Sequence, residues 1–284
     1  MNNIELSTVY LPLLDRVYKQ NSKTSILEGD EATMKRGDNG ELKVAKLDMD
    51  ALGDFSRNDG YTKGSTTFRW ETIKYDKERS QDLRIDRLDN AEALKLPFAK
   101  LSSEFIRTKV VPETDAARIA KIAGTDGIST KAETLNDGAA VISALRACSN
   151  KMDEDEVDAE NRILFITPTK RGMISDLDTT KSKEVLSKFS TIIEVPQTRM
   201  YTKIELKNGK TEYGYAKASD GKEINFLCVE KSAAVVHMEQ FIKYFTPDED
   251  QDGDDNVFKY RNNNLYGHVY ENKLAGVYCS YKAE

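Results

Sequence analysis

Several residue clusters in this 284-residue chain have the types and spacing from which chemistry could be built. Asp248-Glu249-Asp250-Gln251-Asp252-Gly253 places alternating carboxylates ahead of a turn glycine, as in the first half of a calcium-binding loop. The position that should carry a closing bidentate glutamate is Lys259, and the position that is usually apolar is Asp255. Asp248, Asp250 and Asp252 are therefore the only metal candidates, and the run reads as a solvated acidic loop. The two histidines, His237 and His268, sit in alternating apolar stretches without an HExxH pattern or a Ser/Asp companion, which favours strand packing. Gly124 to Gly127 lacks the Gly-Lys-Ser/Thr of a phosphate loop.

Carboxylates are abundant, but no nucleophile, base and orienting group can be assembled for a hydrolase. Trp70, beside Phe68 and near Tyr75, could stack on bases, yet the acidic balance and the lone tryptophan favour packing. The run Asp153-Glu154-Asp155-Glu156, with Asp158 and Glu160, could meet a basic partner and reads more simply as a solvated loop. The sequence predicts no catalytic residue, no cofactor and no metal.

The totals agree. A net charge of -6 and a pI near 5.3 give no long-range positive field for gathering nucleic acid. Cys148, Cys228 and Cys279 are dispersed and odd in number, which suggests reduced thiols made in a cytoplasm. There is no apolar run of the ~18 residues that a membrane span needs. The start, Met1-Asn2-Asn3-Ile4-Glu5, lacks a basic segment followed by an apolar one, so secretion by that route is not expected. The length suits one or two domains, and the charged content of 32% suits an elongated shape with much surface.

The elements that would position these residues follow from periodicity. Residues 1 to about 50 hold too little apolar surface for a core of their own and read as an arm, with a tight turn at Gly37-Asp38-Asn39-Gly40 entering a strand. Residues 66–75 are β-branched and aromatic; after a charged turn from Asp76 to Arg79, Leu83 and Ile85 alternate with charges. Together they predict a long charged hairpin. A helical region from about Leu88 to Ala123, interrupted by Pro97 and Pro112, predicts a long surface-lying helix stopped at Gly124. A second helix from about Asn136 to Met152 should bury Val141, Ile142, Leu145, Cys148 and Met152 behind a cap at Thr134 or Asp137. Residues 162–168, 181–189 and 191–195 read as strand, helix and strand of an α/β sub-domain. Further strands are expected at 201–206 and 211–215 around the Lys207–Lys210 turn, at 224–229, at 237–245, and at 265–281 with breaks near Asn272 and Gly276.

This order of parts resembles the major capsid proteins of tailed bacteriophages, and the residue matches are more specific than the order. Gly60-Tyr61-Thr62-Lys63-Gly64, Trp70-Glu71-Thr72 and Ile85-Asp86-Arg87-Leu88-Asp89 are similar to the extended loop of many such proteins from phages of Gram-positive hosts. Phe105-Ile106-Arg107-Thr108-Lys109-Val110-Val111-Pro112-Glu113-Thr114-Asp115-Ala116 resembles the spine-helix signature, with Thr114 in place of the usual Ile. Residues 162–168 and 271–278 are similar to the first apical strand and the closing strand. Asp76 to Asp82 departs from the Asp-Arg-Gly-Arg and aromatic that relatives tend to carry.

The resemblance implies an α+β fold: the tailed-phage major capsid fold with N-terminal arm, extended β-hairpin loop, long spine helix, peripheral domain and axial domain. On this chain those would be an arm at 1–34, an extended loop at 35–90, and spine helix and peripheral domain at 91–135. The axial, or apical, domain would occupy 136–234 and the closing peripheral strands 235–284. It implies a non-enzymatic subunit that self-assembles into hexamers and pentamers of an icosahedral head enclosing double-stranded DNA without sequence-specific binding. The implied partners are further copies of the chain, scaffolding and portal proteins and a decoration protein, with no membrane. The place is the virion, after assembly in the host bacterial cytoplasm. The shell of a protein nanocompartment housing a cargo enzyme shares the fold and is the alternative.

The lack of a long helical segment before the arm suggests a separate scaffold. Arg69, Glu71, Lys74, Asp76, Lys77, Glu78 and Arg79 mix charge signs in a way that suits register-setting ion pairs between subunits. Some relatives join a loop lysine to an asparagine with a glutamate as base. Lys63, Lys74 or Lys77 with Asn262-Asn263-Asn264 and Glu271 would be the counterparts here, against the simpler reading of an ordinary polar turn.

Overall fold

The computed structural model describes residue 18 and residues 21–29, 34–36, 41–57, 60–87, 96–177, 180–249 and 253–283. Its centre is a five-stranded mixed sheet in the order β5-β13-β10-β6-β7. These strands are β5 (Ser129–Ala132), β6 (Arg162–Ile166), β7 (Thr191–Glu194), β10 (Ile224–Glu230) and β13 (Val277–Tyr281). β10 runs antiparallel to both neighbours, whereas β6 with β7 and β13 with β5 are parallel pairs.

β6 and β10 are buried at every position and mostly apolar, because both faces of the sheet are covered. Leu164, Ile166, Phe226 and Cys228 face α3 (Gly138–Glu154), whose Val141, Ile142, Leu145, Cys148 and Met152 are all buried. Asp137 caps that helix by accepting the amide of Ala140 at 2.7 Å. On the other face Ile163, Phe165, Leu227 and Val229 pack against Ile119 and Ile122.

Ile119 and Ile122 belong to a continuous helical rod made of α1 (Leu96–Phe105), a π-helical turn (Ile106–Val110) and α2 (Val111–Ala123). Pro112 explains the wide turn. It has no amide hydrogen and its ring collides with the carbonyl four residues back. The helix widens by one residue there, and the Val111 amide reaches back to the Ile106 carbonyl. The long helix is thus widened rather than divided at Pro112, and the expectation that it lies on the surface fails over its second half. Ten positions of α2 are buried, Asp115 and Arg118 among them, because the central sheet covers one side and strand β12 (Asp255–Val269) crosses the other. Gly267 permits that crossing, since a Cβ there would sit 2.7 Å from Ile122.

A second sheet, β11-β12-β4, is built from β11 (Ala234–Phe245), β12 (Asp255–Val269) and β4 (Lys77–Asp86). A third joins β1 (Met34–Arg36), β2 (Glu41–Met49) and β3 (Thr66–Lys74). The hairpin expected between residues 66–75 and 82–86, about a turn at Asp76 to Arg79, does not form. β3 pairs with β2 over nine residues and β4 pairs with β12 over ten, so the charged turn is a corner between two sheets. Cross-sheet burial decides this: Leu42, Val44 and Ile73 close on Val235 and Leu265, whereas Leu83 packs by Phe258 and Tyr260.

Three other expectations change. Asn262 to Asn264 lie within β12 and form no turn, and their amides pair in register with β4. β13 does not join β11 and β12; it enters the central sheet because its inward residues, Val277 and Cys279, complete that core. The turn after β8 (Ile204–Leu206) is longer than four residues and β9 is Tyr215–Lys217, with Gly209 at φ +74° and Gly214 at φ +80° shaping the loop. Two short helices, α4 (Pro168–Ser175) and α5 (Thr180–Leu186), complete the α3 face.

Candidate interaction surfaces

The β2–β3 hairpin projects large apolar residues into solvent. Met49, Leu52, Phe55, Tyr61, Phe68 and Trp70 are all exposed, with Tyr61 at 89% and Phe55 at 60%. Trp70, expected to serve packing, packs only at the surface. It makes an edge-to-face contact with Phe68 at 5.6 Å, and Phe68 is itself exposed. The end of the hairpin is nonetheless built. Asp50 and Ser65 exchange backbone and side-chain bonds, Ser56 and Gly60 pair, and the Thr62 hydroxyl donates to the Asp54 carbonyl at 2.8 Å. Phe55 and Tyr61 meet edge-to-face at 5.2 Å across it.

At the root of the hairpin, Asp76 turns the corner. Its amide donates to Asn264, and its carboxylate accepts the Tyr266 amide at 2.9 Å and pairs with Lys121 at 3.0 Å. Two residues into β4, Arg79 makes a two-pronged bond to Glu113 of α2, at 2.7 and 3.0 Å. Its Nη1 donates to the Lys207 carbonyl and its Nη2, already bonded to Glu113, also reaches the Gly214 carbonyl at 3.5 Å, so one guanidinium fastens β4, α2 and the β8–β9 loop together. The bond to Glu113 holds the guanidinium above its usual pKa. Glu78 lies 3.6 Å from Arg261, and Glu71 is 4.0 Å from His268, a pair that attracts only when the imidazole is protonated. Asp76, Glu78 and Arg79 thus have partners inside the subunit, while Arg69, Lys74 and Lys77 are exposed.

Beside that clamp a cleft of about 810 Å³ opens between β4, the π-helical turn and the β8–β9 loop. Its apolar lining comes from Phe105, Val110, Pro112, Tyr213, Tyr215 and Tyr260, and Lys109 stands exposed at it.

A buried polar junction ties the chain's beginning to α2. Asp115 is fully buried and accepts from the Ser22 and Thr24 hydroxyls (2.7 and 2.6 Å), the Lys23 and Thr24 amides (3.0 and 3.2 Å) and Arg199 (3.1 Å). Arg118, one helical turn on and equally buried, donates to Thr24 and Glu28 and lies over the Tyr18 ring. The described part of the arm is therefore docked on its own subunit. The sequence carried a signal for this, since two charges three residues apart interrupt an apolar helix face, but their partners lie about ninety residues away.

The remaining candidates disperse. Asp248 bonds Arg87 at 3.1 Å, Asp250 and Asp252 lie outside the described residues, and no metal-holding cluster exists among the described residues. His237 and His268 lie in β11 and β12 as expected. Asn262 donates to Tyr260 and Asn264 donates to Asn262, both buried in the strand. Asp153 of the acidic run is 2.7 Å from the buried Arg162. All three cysteines are free and buried; contact with Cys228 and burial push the Cys148 thiol well up, and burial pushes Cys279 up to about 12.

No protein-family model and no curated protein matches the sequence. Solved structures do match, over nearly the whole chain. The capsid of cyanophage P-SCSP1u is 14% identical at a TM-score of 0.57, covering 88% of this chain and 85% of that one. A virus-like particle from Pyrococcus furiosus is 11% identical at 0.58, covering 94% and 95%. The mature capsid of bacteriophage PhiM1 is 10% identical at 0.56, covering 86% and 82%. The chain has the fold of these shell proteins.

Proposed function

We propose that the chain is the repeating structural subunit of an icosahedral phage head, assembled as hexamers and pentamers around double-stranded DNA, and that it is not an enzyme. The observation that carries this reading is the exposed β2–β3 hairpin. Beyond the short reach of β1 the hairpin is a two-stranded ribbon, and its six exposed large apolar residues gain burial only against another surface. The full-length likeness to capsid subunits supports a copy of the same chain as that surface. A net charge of -6 suits enclosure of DNA that must slide past the wall without sticking. Scaffolding, portal and decoration proteins would be the other partners, and the virion the destination.

The likeness to the Pyrococcus furiosus virus-like particle favours a second reading, a nanocompartment shell around a cargo protein. Electron microscopy of particles purified from the producing cells tests both. Closed shells with five- and six-fold capsomers and nuclease-protected DNA are expected. Small shells filled with protein would favour the second reading, and a chain that remains monomeric would refute both.

A further inference from the structure

Two of the three cysteines lie against each other. Cys148 projects from α3 and Cys228 from β10, both fully buried in the core between that helix and the central sheet. The Cys148 thiol is hydrogen-bonded to Cys228, and the Cys228 thiol donates in turn to the Met152 thioether at 3.5 Å. Met152 follows Cys148 by one helical turn, so a single stripe of α3 sets both sulfurs over Cys228. Cys279 belongs elsewhere. It stands opposite Leu227 in the register of β10 and β13, and alternation along the strands turns both to the other face of the sheet, among Ile119 and Ile122. We propose that Cys148 and Cys228 form an oxidation site, at which hydrogen peroxide joins them into an intramolecular disulfide that staples α3 to β10.

The step balances with peroxide as the oxidant. The Cys148 thiolate attacks one peroxide oxygen, the O–O bond breaks, and the sulfur becomes a sulfenic acid while the displaced hydroxide leaves as water with the thiol's proton. The Cys228 sulfur then attacks the sulfenic sulfur. The S–O bond breaks as the S–S bond forms, and the second oxygen departs as water with the Cys228 proton. Two thiols together lose two electrons, and one peroxide becomes two waters. Contact with Cys228 and burial keep the Cys148 thiol protonated, and the thiolate is the nucleophile, so closure is slow and the pair stays reduced in reducing surroundings. A closed core also suits an oxidant little larger than water over a bulky disulfide. The position of the pair in the chain gives the bond its effect. Between Cys148 and Cys228 the chain forms β6, α4, α5, β7, β8 and β9, so the bond would close a covalent ring around that whole excursion. A disulfide typically lowers the unfolded population by roughly thirtyfold to a thousandfold, and long rings stand at the upper end.

The test counts thiols in the full-length chain. After denaturation and alkylation, the untreated chain should take three labels and the peroxide-treated chain one, on Cys279, together with a peptide pair joined through residues 148 and 228 that reductant splits. The midpoint of guanidine unfolding should rise after peroxide and fall back with reductant. Cys148→Ala and Cys228→Ala should each abolish the linked pair and the rise, whereas Cys279→Ala should keep both. Should the core variants fail to fold, the linked pair in the unmodified chain decides alone. Three labels after treatment, or thiols lost to sulfinic acid or to other partners without a 148–228 link, would overturn the proposal.

Discussion

Replacing Asp115 with alanine should release the chain's beginning from the helix. The carboxylate is fully buried and collects two hydroxyls, two amides and the Arg199 guanidinium. Removing it leaves those donors without their acceptor and strands the Arg199 guanidinium, while Arg118 keeps its bond to Glu28. Deleting one member of a buried charge pair costs ~3–5 kcal/mol, against a total of ~5–15 kcal/mol for a typical domain. Ser22→Ala removes a single bond of the set and should cost only ~0.5–1.5 kcal/mol. The assay is trypsin cleavage after Lys23, whose side chain is exposed while its amide is held by Asp115. Where cleavage follows local opening, a loss of ~3 kcal/mol or more accelerates it by about a hundredfold or more. Guanidine unfolding of the same variant should show a lower midpoint. If Asp115→Ala accelerates cleavage no more than Ser22→Ala does, the junction does not hold the arm and the reasoning is wrong.

Arg79→Lys keeps the charge but loses the fork, so it should cost ~1.5–3 kcal/mol and raise hydrogen exchange in residues 207–214; unchanged exchange there would refute the clamp. The buried Cys279 thiol sits up to about 12, whereas an unfolded cysteine titrates near ~8.5, so its contribution to stability is complete below that value and disappears as pH climbs toward 12. Urea midpoints should accordingly fall above pH ~8.5, and Cys279→Ser should flatten that fall; an equal fall in both would count against it. Because Asn262 and Asn264 are buried and engaged within β12, boiled particles should run as one monomer band, and a ladder would reveal an inter-subunit bond that this structure does not prepare.

The sequence showed what local chemistry decides. The apolar stripe of α3 with its Asp137 cap and the buried β6 stand where the sequence placed them. Pairing was less legible. Residues 66–75 and 82–86 look like two arms of a hairpin, because a charged turn, Asp76 to Arg79, between alternating stretches is the local signature of one. The choice of β2 and β12 as partners depends on burial against Val235, Leu265 and Tyr260, all distant in sequence. Likewise the seven charges around that turn read as one outward patch, whereas Asp76 and Arg79 serve the subunit's own corner and clamp. The asparagine run looked like a turn because composition does not reveal that Asn262 and Asn264 satisfy each other inside a strand. Asp115 and Arg118 were visible as charges on an apolar helix, but not the residues they bind.

The position of β13 between β5 and β10 bears on when a subunit can become competent at all. Among the described residues β5 has no strand partner other than β13, which ends about 150 residues later and so emerges from the ribosome ~8–30 s after β5 at ~5–20 residues per second. Until then the apolar edge of β10 that β13 covers stays open. The projecting hairpin has already been made by that time, yet the body that must carry it is unfinished. Chain order thus sets a delay between synthesis of the projecting hairpin and completion of the core that carries it.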